Sequence, residues 1–203
     1  MSPRHYRMTR RTATVEETRQ RIVEATVSLH GRNGIFGTSW RDIAREADVS
    51  VGTVYKHFPS LEELVPACGE LLMRRLEPPS PEDAERIIGD ADGRRERLYR
   101  IAHELFAFYE RGGAHLESDP RERELPAMRE WEASLRDMVA TFVSKACDEE
   151  GLEAAEIQRI SVLLDLATYR AMRARALSPR EAVEQATRMI VAWLEHRGRE
   201  GRP

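Results

Sequence analysis

The stretch Thr38–Phe58, TSWRDIAREADVSVGTVYKHF, constrains this chain more than any other. Trp40, Ile43, Ala44 and Ala47 recur at i, i+3, i+4 and i+7, which is one face of a helix. Ser39 is placed to cap that helix, and Asp42 occupies the acid position of a capping box. Asp48-Val49 breaks the pattern. Ser50 can then cap a second helix by accepting from the free N–H of Gly52 or Thr53. Val54 and Phe58 share one side of that helix; Val51, Gly52, Tyr55 and Lys56 lie on the other. A helix this short is not stable alone. It must be held by a neighbour, and its outward face lacks the Glu/Lys pairing of an ordinary solvated surface.

Two short helices and a tight turn are the form of a helix-turn-helix. In that motif the second helix enters the major groove of DNA, where its first residues meet base edges and phosphates. Small residues at the start, Ser50 and Gly52, allow close approach, and free N–H groups there favour an anion. The candidate DNA contacts are Thr38, Ser39, Arg41, Ser50, Val51, Gly52, Thr53, Tyr55, Lys56 and His57.

Charge supports this placement. The net charge of the 203 residues is −3, so the chain is no bulk nucleic-acid binder. Residues 1–60 nevertheless hold ten Arg/Lys against six Asp/Glu, a net of +4, which leaves −7 for the rest. Lysine occurs only at Lys56 and Lys145, so Lys56 stands out in the second helix.

The run RDIAREADVSVGTVYKHFPS, with TRQRIVEATVSLHGRNG before it, closely resembles the DNA-binding domain of the tetracycline-repressor (TetR) family. The resemblance covers roughly residues 18–65, about a quarter of the chain. It implies a phosphate contact for His57. Four positions depart from the family pattern. Asp48 replaces the usual Gly, and Asp tolerates a left-handed turn. His30 stands where an aromatic is common, Trp40 is bulkier than usual, and Leu61 replaces a phosphate-contacting Lys.

Elsewhere the pattern is helical throughout, with no useful β-alternation, repeat or low-complexity tract. The expected fold is all-α: an N-terminal three-helix helix-turn-helix domain joined to a larger helical ligand-binding and dimerisation domain. Residues 1–13, with Arg4, Arg7, Arg10 and Arg11, form a basic flexible arm that either lies in a minor groove or is a tail without a role. Residues 14–77 form the DNA-binding domain. Thr14 with Glu17 opens its first helix, Gly31 and Gly34 end it, and Pro66 falls inside its fourth helix. Pro78-Pro79-Ser80-Pro81 marks the boundary, and residues 78–203 form the second domain. Long helices are expected over 94–111, 121–150 and 152–176, with a last helix capped by Ser178 and Glu181.

The last helix carries two apolar stripes: Val183, Ala186, Ile190 and Leu194, and beside them Ala182, Met189 and Trp193. Together they exceed what one contact needs, so Val183, Ala186, Met189, Ile190 and Trp193 are candidate homodimer contacts; an ordinary buried terminal helix is the other reading. The resemblance also implies pairing through the last two long helices. The second domain further holds Tyr99, His103, Phe106, Tyr109, Trp131, Met138, Phe142 and Tyr169, candidates for an apolar ligand cavity or simply for core. The resemblance implies an inducer pocket there and leaves its ligand unnamed.

No catalytic or phosphate-binding motif is present, and none of the six histidines pairs at metal-ligand spacing. No enzyme activity, cofactor or metal is expected. Cys68 and Cys147 are far apart and lack a CxxC partner, as suits a reducing cytoplasm, and no apolar run approaches a bilayer span. Three readings remain: a homodimeric repressor that leaves its DNA operator when a small apolar or aromatic inducer binds, a DNA-binding regulator with no inducer whose second domain serves dimerisation or a protein partner, and an all-helical enzyme with the helix-turn-helix as scaffold.

Overall fold

The computed structural model describes residues 3–200, with side chains described over 13–197. The arginines of the expected arm therefore lie outside the described side chains. Among the described residues every regular element is helical. By internal contacts the chain divides into two units.

The first unit contains α1 (Pro3–Asn33), α2 (Trp40–Glu46), α3 (Val51–His57) and α4 (Leu61–Leu76), and also residues 113–130 from later in the chain. A boundary at 77 alone does not describe this unit, because Gly113–Glu130 returns to it. The helix assigned to α1 begins at Pro3, so Thr14 is helical rather than a cap; its carbonyl accepts the Thr18 hydroxyl at 2.8 Å. Ile22, Val23, Val27, Ile43, Val54, Phe58, Leu64 and Leu71 form the centre of one apolar core. Each such side chain contributes about 1.5–3 kcal/mol when removed from water. That burial is what holds seven-residue helices which could not persist alone. Pro66 sits inside α4 without ending it. Its missing N–H leaves the Glu62 carbonyl without a helical donor, and both residues are exposed, so water can serve that carbonyl.

The second unit contains α5 (Ala84–Ile88), α6 (Arg94–Gly112), most of α7 (Pro126–Ala146), α8 (Ala154–Ser161), α9 (Leu166–Arg173) and α10 (Pro179–Glu200). The wide apolar arc of α6 makes it the central helix: Leu98, Ile101, Ala102, Leu105, Phe106, Phe108 and Tyr109 are all buried. The main packing partner of α6 is α10. Small residues at Ala182 and Ala186 leave room for that contact. The reciprocal cap expected for α10 is formed: Glu181 accepts from the Ser178 N–H at 2.8 Å, and Ser178 accepts from the Glu181 N–H at 3.3 Å.

Residues 152–176 do not make one helix. Asp165 adopts an extended backbone, with ψ of 151°, and separates α8 and a short 3-10 turn from α9. The break leaves the Leu164 carbonyl outside helical bonding, and the Tyr109 hydroxyl donates to it at 3.0 Å. A buried tyrosine and a buried carbonyl thereby satisfy each other.

Candidate functional site

Both helices of the central motif are capped. Ser39 accepts from the Asp42 N–H at 3.2 Å, and Asp42 reaches back to the Ser39 N–H at 3.4 Å and accepts the Ser39 hydroxyl at 2.5 Å. The Ser39 hydroxyl is the leading cause holding the Asp42 carboxyl below the usual range. Ser50 accepts from the Thr53 N–H at 3.0 Å. Between the helices, Val49 N–H donates to Ala44 at 3.0 Å and Asp48 N–H to Arg45 at 3.3 Å. This is a Schellman ending whose left-handed residue is Asp48, with φ of +52°. Aspartate fills the place of glycine here because it tolerates that conformation better than most side chains do.

The ten candidate DNA contacts fall into two groups. The Thr38 hydroxyl donates to the Gly34 carbonyl at 2.8 Å, the Ser39 hydroxyl serves Asp42, and the Ser50 and Thr53 hydroxyls pair at 2.8 Å. These four shape the motif from within. Arg41, Gly52, Tyr55 and Lys56 are exposed, while Val51 and His57 are half-buried. The acids of α2 are paired, Asp42 with Arg45 at 2.5 Å and Glu46 with Arg32 at 3.2 Å. Arg41 and Lys56 have no carboxylate partner among the described residues. The face thus presents uncompensated positive charge next to an aromatic ring, while Val54 and Phe58 anchor its back in the core.

A second feature of this unit had no sequence motif. Glu122 is buried, and its two carboxylate oxygens accept from the Ile35 N–H at 2.5 Å and the Asp119 N–H at 2.9 Å. It thereby joins the 113–130 segment to the turn leading into α2. Gly34 ends α1 with φ of +74°, its N–H donating to His30 at 2.9 Å. A Cβ at Gly34 would lie 2.8 Å from a Glu122 oxygen, and one at Gly31 would meet the His115 imidazole. The two glycines are the only hint available from sequence; nothing in the chain links position 35 to position 122.

His30 lies beside this carboxylate. Burial lowers its pKa from 6.5 to about 4, with the Glu122 charge opposing, and its Nε2 has no partner. The folded unit therefore holds a neutral imidazole that the unfolded chain protonates near pH 6.5. A lowered histidine pKa means that the unfolded state binds more protons, so stability is complete above about 6.5 and falls as pH drops towards 4. His30→Phe removes the titration and fills the site with an apolar ring. It should raise the melting temperature of this unit near pH 5 and flatten its pH dependence between 6.5 and 4, followed by Trp40 emission.

In the second unit the eight candidate cavity residues separate. Phe106, Tyr109 and Tyr169 form an aromatic cluster, with ring centroids 4.4 Å apart for Phe106–Tyr169 and 5.9 Å for Tyr109–Tyr169. Phe142 is buried in the core, and Trp131 and Met138 are half-buried on α7. Tyr99 and His103 stack at 6.4 Å on another part of α6 and line an open groove of about 410 Å³ with Arg86, Ile87, Arg100 and Glu104. His103 is exposed rather than at the edge of the core. Of the eight, Tyr99 and His103 line this groove, while Phe106, Tyr109 and Tyr169 pack together in the interior.

The candidate dimer contacts divide as well. Val183, Ala186 and Ile190 are buried within the protomer, because that stripe lies in the core with Ala182 and Leu194. They cannot face a partner. Met189 is 41% exposed and Trp193 is half-buried. Val162, in the 3-10 turn between α8 and α9, is 53% exposed.

Burial pushes Cys68 up to about 12 and is the largest cause raising Cys147 to about 11, so neither is a ready thiolate. No group of three His, Cys, Asp or Glu side chains among the described residues could hold a metal ion. No described helix is long and apolar enough to cross a membrane.

The fold and the exposed, capped second helix define a helix-turn-helix protein. Residues 22–68 match the family model for bacterial regulatory proteins of the tetR family. Over 50 residues the chain is 42% identical to the transcriptional repressor KstR of Rhodococcus jostii, covering 25% of this chain and 24% of that one. Over 94 residues it is 33% identical to the repressor DrrR1 of Streptomyces coeruleorubidus, covering 46% and 32%. These alignments thus span between a quarter and a third of the relatives' length. The fold as a whole is similar to that of the multidrug binding protein EbrR, solved with imidazole: TM-score 0.60 at 24% identity, covering 84% of this chain and 93% of that one. A TetR regulator of Chloroflexus aurantiacus gives 0.57 at 21%, covering 90% and 96%. The likeness to the tetR family of bacterial regulatory proteins is thus a likeness of residues 22–68, and beyond them the solved structures share the fold.

Proposed function

We propose that the chain is a cytoplasmic, homodimeric transcriptional repressor that binds a palindromic DNA operator through α3. One observation carries this reading: Tyr55, Lys56 and Gly52 form an exposed face on a helix anchored by Val54 and Phe58, inside the stretch that matches the family. Gly52 leaves the start of α3 open, with only Ser50 Oγ near where a Cβ would stand. Lys56, exposed on the same face, supplies a positive charge for a DNA phosphate. Half-sites should lie about one helical turn apart, roughly 34–36 Å.

Sequence-selective binding from a random DNA pool tests the reading directly. Lys56→Ala should then weaken binding on all sequences alike and reduce the slope of log affinity against log salt by about 1. Failure to enrich any palindrome sinks the operator assignment. An unchanged salt slope removes Lys56 from the interface.

Operator release by a small apolar or aromatic molecule is the second part of the proposal. It is supported by the aromatic cluster of Phe106, Tyr109 and Tyr169, with Trp131 and Met138 half-buried. The alternative is a regulator without an inducer, whose second unit serves dimerisation or a protein partner. It is favoured by the way the same rings fill space against each other and the Tyr109 hydroxyl is already bonded to Leu164. A compound that releases the selected operator separates the two.

A further inference from the structure

We propose that Trp40 is a positioning residue for DNA recognition: it clamps the Tyr55 ring and so fixes where the phenol meets the operator. This rests on the operator-binding reading above and adds a residue that touches no DNA itself.

Trp40 is the first residue of α2, directly after the Ser39 cap, so the capping box fixes its backbone. Its side chain is half-buried and packs against the core that includes Ile43, Val54 and Phe58. Tyr55 projects from α3 and is 46% exposed. The two ring centroids lie 4.9 Å apart with planes tilted by 30°. That separation is within the range of favourable offset stacking. The Tyr55 hydroxyl has no hydrogen-bond partner among the described residues, so it is free to meet a phosphate or a base edge.

An exposed tyrosine with nothing beside it samples several rotamers and loses that freedom when it binds. One whose ring rests against a core-anchored indole is already ordered, which raises affinity without any added contact. It also restricts the phenol to one position, which sharpens the choice among base sequences. The arrangement joins α2 to α3 at the edge of the core, where the half-buried indole meets the exposed phenol. Trp40 therefore acts through Tyr55, and the test must separate that from general support of α2.

The experiment is a double-mutant cycle on the full-length protein, read as affinity for an operator selected by the wild type and for a scrambled duplex. Trp40→Leu should weaken operator binding roughly ten-fold and broaden base preference, while leaving affinity for the scrambled duplex unchanged. Trp40→Phe, which restores a ring, should recover most of the loss. In a Tyr55→Ala background, Trp40→Leu should change operator affinity by less than about two-fold. Thermal melts establish that each variant is folded; if Trp40→Leu is not, Trp40→Phe and Trp40→Met complete the same cycle. Effects of Trp40 and Tyr55 that simply multiply would overturn the proposal, since Trp40 would then act on α2 or α3 independently of the phenol. So would an equal loss on both duplexes, or none on either. A wild type that shows no preference for any operator fails the functional reading itself, and is told apart before any variant is made.

Discussion

Glu122→Ala is expected to destabilise the helix-turn-helix unit by roughly 2–4 kcal/mol, among the larger effects a single substitution can have. The carboxylate is 3% exposed and accepts from two backbone N–H groups, at Ile35 and Asp119. Neither N–H has another acceptor among the described residues. Truncation leaves both donors without a partner and opens a space beside His30. For a unit of this size the loss corresponds to a fall in melting temperature of roughly 10–25 °C, read at Trp40. Glu122→Gln separates the causes. Its one amide oxygen can serve one N–H, while its NH₂ must face the other, so about half of the loss should return. Gly34→Ala should damage the same joint from the opposite side: φ of +74° disfavours any side chain, and the new Cβ would press on the Glu122 oxygen. Gly31→Ala should be mild by comparison, because the group in its way is the exposed end of His115, which can swing aside. If Glu122→Ala melts with the wild type, the buried contact contributes nothing net and water serves both donors.

What could be read from the sequence follows from the range of the interactions. The caps at Ser39, Ser50 and Ser178 and the left-handed Asp48 depend on residues within a few positions, so their patterns survive in one dimension. The face of α3 was legible for the same reason: Val54 and Phe58 recur at helical spacing and tether it. The Glu122 joint connects positions 87 apart through a single side chain, and one glutamate among many carries no pattern. Asp165 shows the intermediate case. It interrupts an apolar run, but whether such a residue points outward or breaks the helix depends on a donor for the buried carbonyl that the break frees. Tyr109 supplies that donor from another helix. How the cavity candidates group is illegible for a related reason. Aromatic residues at helical spacing show that α6 is surrounded, but not whether its neighbours leave a hollow. The four hydroxyls among the candidate DNA contacts, at Thr38, Ser39, Ser50 and Thr53, bond to the motif's own backbone and side chains, which residue type alone does not reveal.

The terminal helix supplies the other large expectation, because its two stripes have opposite fates. Ile190 is fully buried in the protomer, and Met189, one residue along, is 41% exposed. If the outward face of α10 forms the homodimer, Met189→Glu and Trp193→Glu should each yield a folded monomer, with helix content and melting close to wild type at low concentration. Ile190→Glu should instead unfold the second unit, since a carboxylate there would be buried without a partner. The DNA consequence is steep. A monomer engages one half-site and loses the additive contribution of the other, so operator affinity should drop roughly a thousandfold or more, towards the non-specific level. Three strands of argument point to this face rather than to the inward stripe. The inward residues are already covered, the exposed Met189 lies one helical turn from the half-buried Trp193, and Val162 is a second exposed apolar group in the same unit. Sedimentation of the three variants decides the matter. Monomers from Met189→Glu and Trp193→Glu, with Ile190→Glu unfolded, assign the interface to the outward face. A folded dimer from both outward variants, binding the operator as tightly as the wild type, moves the interface off α10 altogether.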